Sequence, residues 1–250
     1  MTRRCVSLSL VAAVAVILGA ALQTGHAGGK DKDVPEIPPR KGTSETIKLF
    51  NGKDLTGWEG YMDLWSVKEG VIIAKNTEPI KYSTYLLTTR KFSDFRLVFA
   101  FKLVKAKNDM HSGVSLWGRK FPEVPGVKDP TAERTEYTYQ GQLVMFPTGY
   151  GLFDLYRRMG AINPPEPVRK VSMAAGKQRD WNDMEILAQG NRIRYALNGK
   201  LVLDWRDPQP ELVGEGPIGL QLHSNDGPQE LHWKGLVLTT FPEEKMTTVK

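Results

Sequence analysis

The chain reads as an all-β protein, a two-sheet antiparallel jelly-roll sandwich, and three observations say so. Apolar residues recur with period two along many short stretches, turn residues separate those stretches, and no part of the folded region carries a long apolar pattern of period 3.6. An antiparallel sheet buries one face and wets the other, and period two records that arrangement. The clearest strand spans 94–104, where Phe95, Leu97, Phe99, Phe101 and Leu103 fall on one side and Arg96 and Lys102 on the other. Further strands are expected at 70–74, 85–88, 113–117, 139–146, 152–156, 200–205 and 231–238. Trp181-Asn182 opens another, carried by Met184, Ile186 and Ala188 and followed by Ile193, Tyr195 and Leu197. Asn198-Gly199 then supplies the two residues that tolerate positive φ in a type I′ hairpin turn. The run 216–223 ends at His223, where strand gives way to polar loop. Two stretches show neither period and are read as long loops, 119–134 with Pro122, Pro125 and Pro130, and 157–179 with Pro164, Pro165 and Pro167.

Around this region lie segments of other character. Arg3 and Arg4 precede an Ala/Val/Leu-rich run at 6–22, and Gly25-His26-Ala27 offers small residues where a signal peptidase reads, so residues 1–27 are expected to be an export signal cleaved after Ala27. A retained membrane anchor is the rival reading, but the run is short for a span. The mature protein would be periplasmic or extracellular and off the membrane. Cys5 leaves with the signal, so neither a disulfide nor thiolate chemistry is expected. Losing Arg3 and Arg4 takes the formal charge from +6 to +4, a mild excess spread along the chain that is no nucleic-acid footprint. Residues 28–45, with Pro35, Pro38 and Pro39 and almost nothing apolar, read as a linker. Residues 46–240 are the folded domain, and 241–250 a charged tail expected to fray. Gly149-Tyr150-Gly151 lacks the lysine and helix that a phosphate loop needs.

The order of several short motifs resembles a known family. Leu49-Phe50-Asn51-Gly52-Lys53-Asp54-Leu55-Thr56-Gly57-Trp58 opens like the 3-keto-disaccharide hydrolase domain. The likeness continues through Trp65-Ser66-Val67, Gly70-Val71-Ile72, Phe92-Ser93-Asp94-Phe95, Ser112-Gly113-Val114, Trp181-Asn182, Leu197-Asn198-Gly199 and 216–223. This resemblance implies a fold similar to concanavalin-like lectins and glucanases, with a groove on a concave face. It also implies a substrate class, glycosides oxidised to a ketone at C3. Such a ketone acidifies the hydrogen on C2, so a base can remove it while a donor or metal stabilises the enolate; the C1 oxygen then leaves, and water adds back. A pair of glycosidase carboxylates is then not required.

Candidate residues follow. His223, in the Leu-Gln-Leu-His run, is the expected base or metal ligand because imidazole exchanges protons near neutral pH; a strand-end histidine satisfied by backbone is the plain alternative. His111 offers a second ligand, acid or substrate contact, against a solvated loop histidine; His232 is expected on an outer face. Where the family carries a carboxylate in Tyr-Glu-x-Gln, this chain has Tyr139-Gln140-Gly141-Gln142, so Gln140 and Gln142 are expected to hold sugar hydroxyls without shuttling protons. Trp117 stands where the family has an arginine, with Arg119 nearby. The acid is thus absent or relocated to Glu136 or Asp154. Trp117 and Tyr139 are expected as a stacking wall for a pyranose; Trp58, Tyr150 and Tyr156 are further candidates, and Trp65, Trp181 and Trp233 are assigned to the core. No cofactor is fixed. A divalent metal remains an open reading, because Asp109, Asp129 and Asn225-Asp226 offer oxygen without a calcium-loop spacing. Arg157-Arg158 is either a solvated pair or an anion clamp. A non-catalytic carbohydrate-binding module is the competing reading for the whole domain, and Gln140 favours it.

Overall fold

The computed structural model describes residues 34–106, 111–120, 135–147, 151–154, 160–209, 211 and 213–250. In chain order the strands are β1 (Thr46–Lys48), β2 (Trp58–Glu59), β3 (Trp65–Lys68), β4 (Val71–Asn76), β5 (Thr84–Phe92), β6 (Phe95–Lys105), β7 (Ser112–Lys120) and β8 (Tyr139–Phe146). There follow β9 (Leu152–Asp154), β10 (Gly160–Ile162), the helix α1 (Glu166–Ala175), β11 (Asn182–Gln189), β12 (Arg192–Leu197), β13 (Lys200–Arg206), β14 (Gly216–Leu222) and β15 (Gln229–Thr240). Among the described residues they form two antiparallel sheets. One runs β13-β12-β11-β6-β15-β4-β3 with β1 added on β15; the other runs β10-β9-β8-β7-β14-β5-β2. The jelly-roll sandwich read from the sequence is the architecture observed. No helix among the described residues is long and apolar enough to cross a membrane.

Period two places the core. Along β6 the residues Phe95, Leu97, Phe99, Phe101 and Leu103 are all buried, with half-buried residues between them. Phe101 ties the sheets together: its ring lies 4.5 Å from Phe146 of β8 and 5.4 Å from Trp233 of β15, centroid to centroid. Asn198 and Gly199 adopt φ of 48° and 78°, as a type I′ turn between β12 and β13 requires. The seven-stranded sheet departs from simple alternation. Val114, Leu116, Val144, Phe146, Leu220 and Leu222 join the inter-sheet core, whereas Tyr85, Leu87, Tyr139, Leu143 and Met145 form a second buried cluster. Both faces of this sheet are therefore covered.

Four expectations change. Helix α1 falls inside the stretch read as a loop: Pro165 is its N-cap and Pro167 lies in its first turn, where a missing N–H costs nothing, so these prolines start a helix and do not forbid one. Part of the presumed linker is fixed to the body, since Asn191 donates through Nδ2 to the Pro35 carbonyl (2.7 Å) and Arg40 pairs with the buried Asp94 (2.8 Å). The tail is docked as well. Glu185 of β11 accepts hydrogen bonds from the backbone N–H and the hydroxyl of both Thr247 and Thr248, at 2.6–3.0 Å, and Lys250 N–H reaches the Gly199 carbonyl (3.0 Å). The fourth change, at Trp117, belongs with the site below. The signal expected at 1–27 lies outside the described residues, as does the loop read at 119–134 apart from Arg119 and Lys120, which close β7.

Glu185 has a pH consequence. Burial pushes its carboxyl up, but the hydrogen bonds from Thr248 and Thr247 outweigh burial and hold it below the usual carboxylate range. A depressed folded value means the stabilisation is complete above the unfolded carboxylate value and is lost as pH falls through the folded one. Glu185→Gln should therefore cost about 2 kcal/mol at neutral pH, because four donors then face an amide that itself donates. Urea melts of the two proteins should converge in acid; an equal gap at all pH values would refute the assignment.

Candidate functional site

Two histidines meet at one end of the seven-stranded sheet. Strand β14 pairs with β7 so that Gly219 faces Ser115 and Leu220 faces Val114; continuing the register places His223, just past β14, opposite His111, just before β7. The rings touch edge to face, with centroids 4.6 Å apart and planes at 76°. Leu220 and Leu222 point into the inter-sheet core, so alternation turns Gln221 and His223 to the outer face. Gln221 pairs directly with Tyr85 of β5, and its Nε2 donates to the Tyr85 hydroxyl at 3.1 Å. Gly113 stands on the other side of Gln221, where an added Cβ would meet the Val144 carbonyl oxygen at 2.4 Å; only glycine lets β7 and β8 come this close.

The loop after β14 is held on several sides. His223 Nδ1 lies 2.5 Å from the Ser224 carbonyl oxygen. A carbonyl only accepts, so Nδ1 carries the proton and the lone pair is on Nε2. The His223 carbonyl accepts from Gln229 Nε2, Ser224 N–H donates to Ser83 Oγ (3.0 Å), and Ile80 and Asn225 exchange two backbone hydrogen bonds. Burial lowers the His223 imidazole below its ordinary value, against the opposing pull of the Ser224 carbonyl. Burial, with the neighbouring His223 adding to it, takes His111 down to about 4. Both rings are thus neutral at pH 7. Burial pushes the Tyr85 phenol up to about 12 although Ser115 and Gln221 pull it down, so Tyr85 stays a donor. The arrangement combines a neutral imidazole lone pair with a protonated phenol and the Gln221 amide, whose Oε1 has no hydrogen-bond partner among the described residues. Proton abstraction beside a carbonyl requires such a base, and Tyr85, 1% exposed, serves to hold the Gln221 amide.

Of the described residues singled out in the sequence, His223 and His111 come together, whereas Gln140, Gln142, Trp117 and Tyr139 do not join them. Gln142 is buried on the inter-sheet side, where its Nε2 donates to Asp207 Oδ2 at 2.8 Å; it braces the two sheets, away from the histidine face. Gln140 shares that side of β8 and lies six residues from Phe146, the partner of Ser112, a distance of roughly 20 Å at strand rise. Trp117 is no stacking wall. A bulge between Leu116 and Arg119, with Trp117 at φ 56°, turns the indole into the core, 2% exposed, where Nε1 donates to the Ser93 carbonyl at 2.5 Å. Tyr139 is on the outer face but only 1% exposed; its hydroxyl accepts from Gly118 N–H (2.7 Å) and donates to the Pro217 carbonyl (2.9 Å), so the ring locks strands and offers no free face.

The remaining candidates divide in the same way. Trp58 is core, with Nε1 bonded to the Leu49 carbonyl (2.8 Å). Trp65 and Trp233 are buried, whereas Trp181 is only half-buried beneath Lys234 Nζ, 4.0 Å from its ring centroid. His232 pairs with Glu230 at 2.8 Å, and Glu136 is exposed. Asp109, Asp129, Tyr150, Tyr156, Arg157, Arg158 and the side chain of Asp154 lie outside the described residues. Among those described, no three His, Cys, Asp or Glu side chains gather. Gln221 and Tyr85 were not singled out; the readable signal was a shared parity, since Gln221 and His223 alternate with Leu220 and Leu222.

A sequence model of the 3-keto-alpha-glucoside-1,2-lyase-like domain matches residues 45–239. Among solved structures, a candidate glycosyl hydrolase from Parabacteroides distasonis is 18% identical with a TM-score of 0.51, covering 78% of this chain and 98% of its own. The β-glucanase of Bacillus licheniformis is 14% identical with a TM-score of 0.51, at 80% and 99% coverage. A β-1,3-1,4-glucanase derived from a mouse hindgut metagenome is 13% identical with a TM-score of 0.51, at 80% and 100%. At these identities the likeness is one of fold. No curated protein sequence in the comparison matches significantly.

Proposed function

Because the chain belongs to the 3-keto-alpha-glucoside-1,2-lyase-like domain family, we propose that it is a carbohydrate-active enzyme that cleaves 3-keto glycosides, with His223 as the base. The observation that supports this most is the state of His223: Nδ1 is committed to the Ser224 carbonyl, Nε2 keeps its lone pair, and burial keeps the ring neutral. Nε2 would take the C2 proton, and the electron pair would move toward the C3 ketone. The C1–O bond then breaks, and the proton on His223 passes to the departing oxygen. Water adding across the resulting enone, hydroxyl at C1 and proton at C2, completes a net hydrolysis.

The test is direct. In deuterated water the protein should release a monosaccharide from a 3-keto disaccharide with solvent deuterium at C2 of the product, and should leave the unoxidised parent sugar intact. Equal cleavage of both sugars, or product without deuterium, would sink the mechanism. Gln140 in the place of the family's carboxylate favours the second reading, a non-catalytic carbohydrate-binding module; binding of the 3-keto sugar without turnover would establish it. We also infer export from Arg3, Arg4 and the run at 6–22. The secreted protein should then begin near Gly28 by mass spectrometry, and a cytoplasmic product retaining Met1 would contradict this.

A further inference from the structure

A cavity of about 870 Å³ opens beside the segment that links β4 of one sheet to β5 of the other. It is not the histidine face. Thr84 lines the cavity and is buried on the inner side of β5, whereas its neighbour Tyr85 projects from the opposite side of the strand toward Gln221. The volume lies within the range of small-molecule sites.

Its lining has the chemistry of a hydroxyl-rich, uncharged ligand. Trp65, Asn76 and Thr84 all line it, each at least nine-tenths buried, and Trp65 Nε1, Asn76 Oδ1 and Thr84 Oγ1 have no hydrogen-bond partner among the described residues. Native proteins leave few such atoms, because a buried polar atom without a partner is costly. The three differ in kind: an N–H that only donates, a carbonyl that only accepts, and a hydroxyl that does both. Asn76 is fixed in orientation, since its Nδ2 donates to the carbonyls of Glu78 (2.7 Å) and Gly227 (3.1 Å), leaving Oδ1 as the unpaired end. Around the rim stand the rings of Tyr61 and Tyr82, the latter 36% exposed. The charged lining is balanced, Asp63 and Glu78 against Lys75 and Lys81, and Lys75 is engaged by Glu230 at 3.2 Å. An anion would find no excess of cations here. An aromatic rim over mixed donors and acceptors is what a pyranose, with its C–H face and ring of hydroxyls, fits.

We propose that this cavity is a second sugar-binding site, taking a neutral hexose unit on Tyr82 and the Trp65–Asn76–Thr84 floor, apart from the histidines. Trp65 lines the cavity, so binding changes the surroundings of its indole. The inference stands independently of the catalytic reading.

The experiment titrates the protein with cellobiose, maltose and lactose at millimolar concentrations, following tryptophan fluorescence and heat. At least one should bind saturably. Thr84→Val keeps the shape and removes a hydroxyl that bonds nothing, so it should fold with stability unchanged or raised, yet bind about tenfold more weakly. Tyr82→Ala, at an exposed position, should weaken binding similarly. His223→Asn should leave it unchanged, and turnover of a 3-keto disaccharide should be unaffected by Thr84→Val, which separates failure here from failure of the catalytic reading. Absence of binding by all three sugars, binding that survives both cavity substitutions, or binding lost in His223→Asn would each overturn the proposal.

Discussion

Replacing His223 with asparagine should lower turnover of a 3-keto disaccharide by about 10²–10⁴-fold, the range a general base contributes, while affinity stays within a few-fold. The amide can still donate to the Ser224 carbonyl as Nδ1 does, so the loop keeps its shape, but it has no lone pair basic enough to take the C2 proton. The wild-type pH profile carries a second check. Burial lowers the His223 imidazole, so the active neutral form persists below the pH at which an ordinary histidine protonates. The rate should therefore be flat through neutrality and fall only in acid, below about 6.5. An acid limb above that value, or turnover that survives the substitution, would remove His223 from the role of base.

Trp117→Ala should destabilise the fold by roughly 3–5 kcal/mol, the cost of emptying an aromatic core site. In a domain of this size that lowers the melting temperature by roughly 6–20 °C. The indole is 2% exposed, and its Nε1 also bonds the Ser93 carbonyl at the turn joining β5 to β6, so the loss reaches both sheets. Calorimetry decides the matter. A near-unchanged melting temperature with weakened sugar binding would mean that the ring faces a ligand after all.

The two predictions mark where sequence reading worked and where it stopped. Six strands of the eight-stranded sheet, all but β1 and β3, were legible because one face is buried and the other wetter, so burial is written in the chain as alternation: β6 shows it over its whole length. The Asn198-Gly199 turn was legible because few residue pairs accept two positive φ angles. In the seven-stranded sheet both faces are covered. The run Leu143-Val144-Met145-Phe146 is apolar on each side, so nothing in it tells which parity looks outward, and the inward side of Gln140 and Gln142 could not be read. A bulge adds a residue without changing the composition, so the inward turn of Trp117 was invisible. The histidines were readable as polar residues at strand ends. Their cross-strand meeting was not, since it depends on the pairing of β7 with β14.

The edges of the family match also lie together in space. Thr46 at the start of β1 pairs with Thr239 near the end of β15, and Thr240 Oγ1 donates to the Thr43 carbonyl at 3.2 Å, so the chain enters and leaves the domain through adjacent backbones. Both crossings are on the eight-stranded sheet, while the histidines belong to the other. A module whose two ends are neighbours can be grafted into a surface loop of a host protein without a spacer to bridge it, and the host would sit against the sheet that does not carry the histidine pair. The same geometry makes the domain a natural subject for circular permutation, with 46 and 239 joined and new ends cut elsewhere.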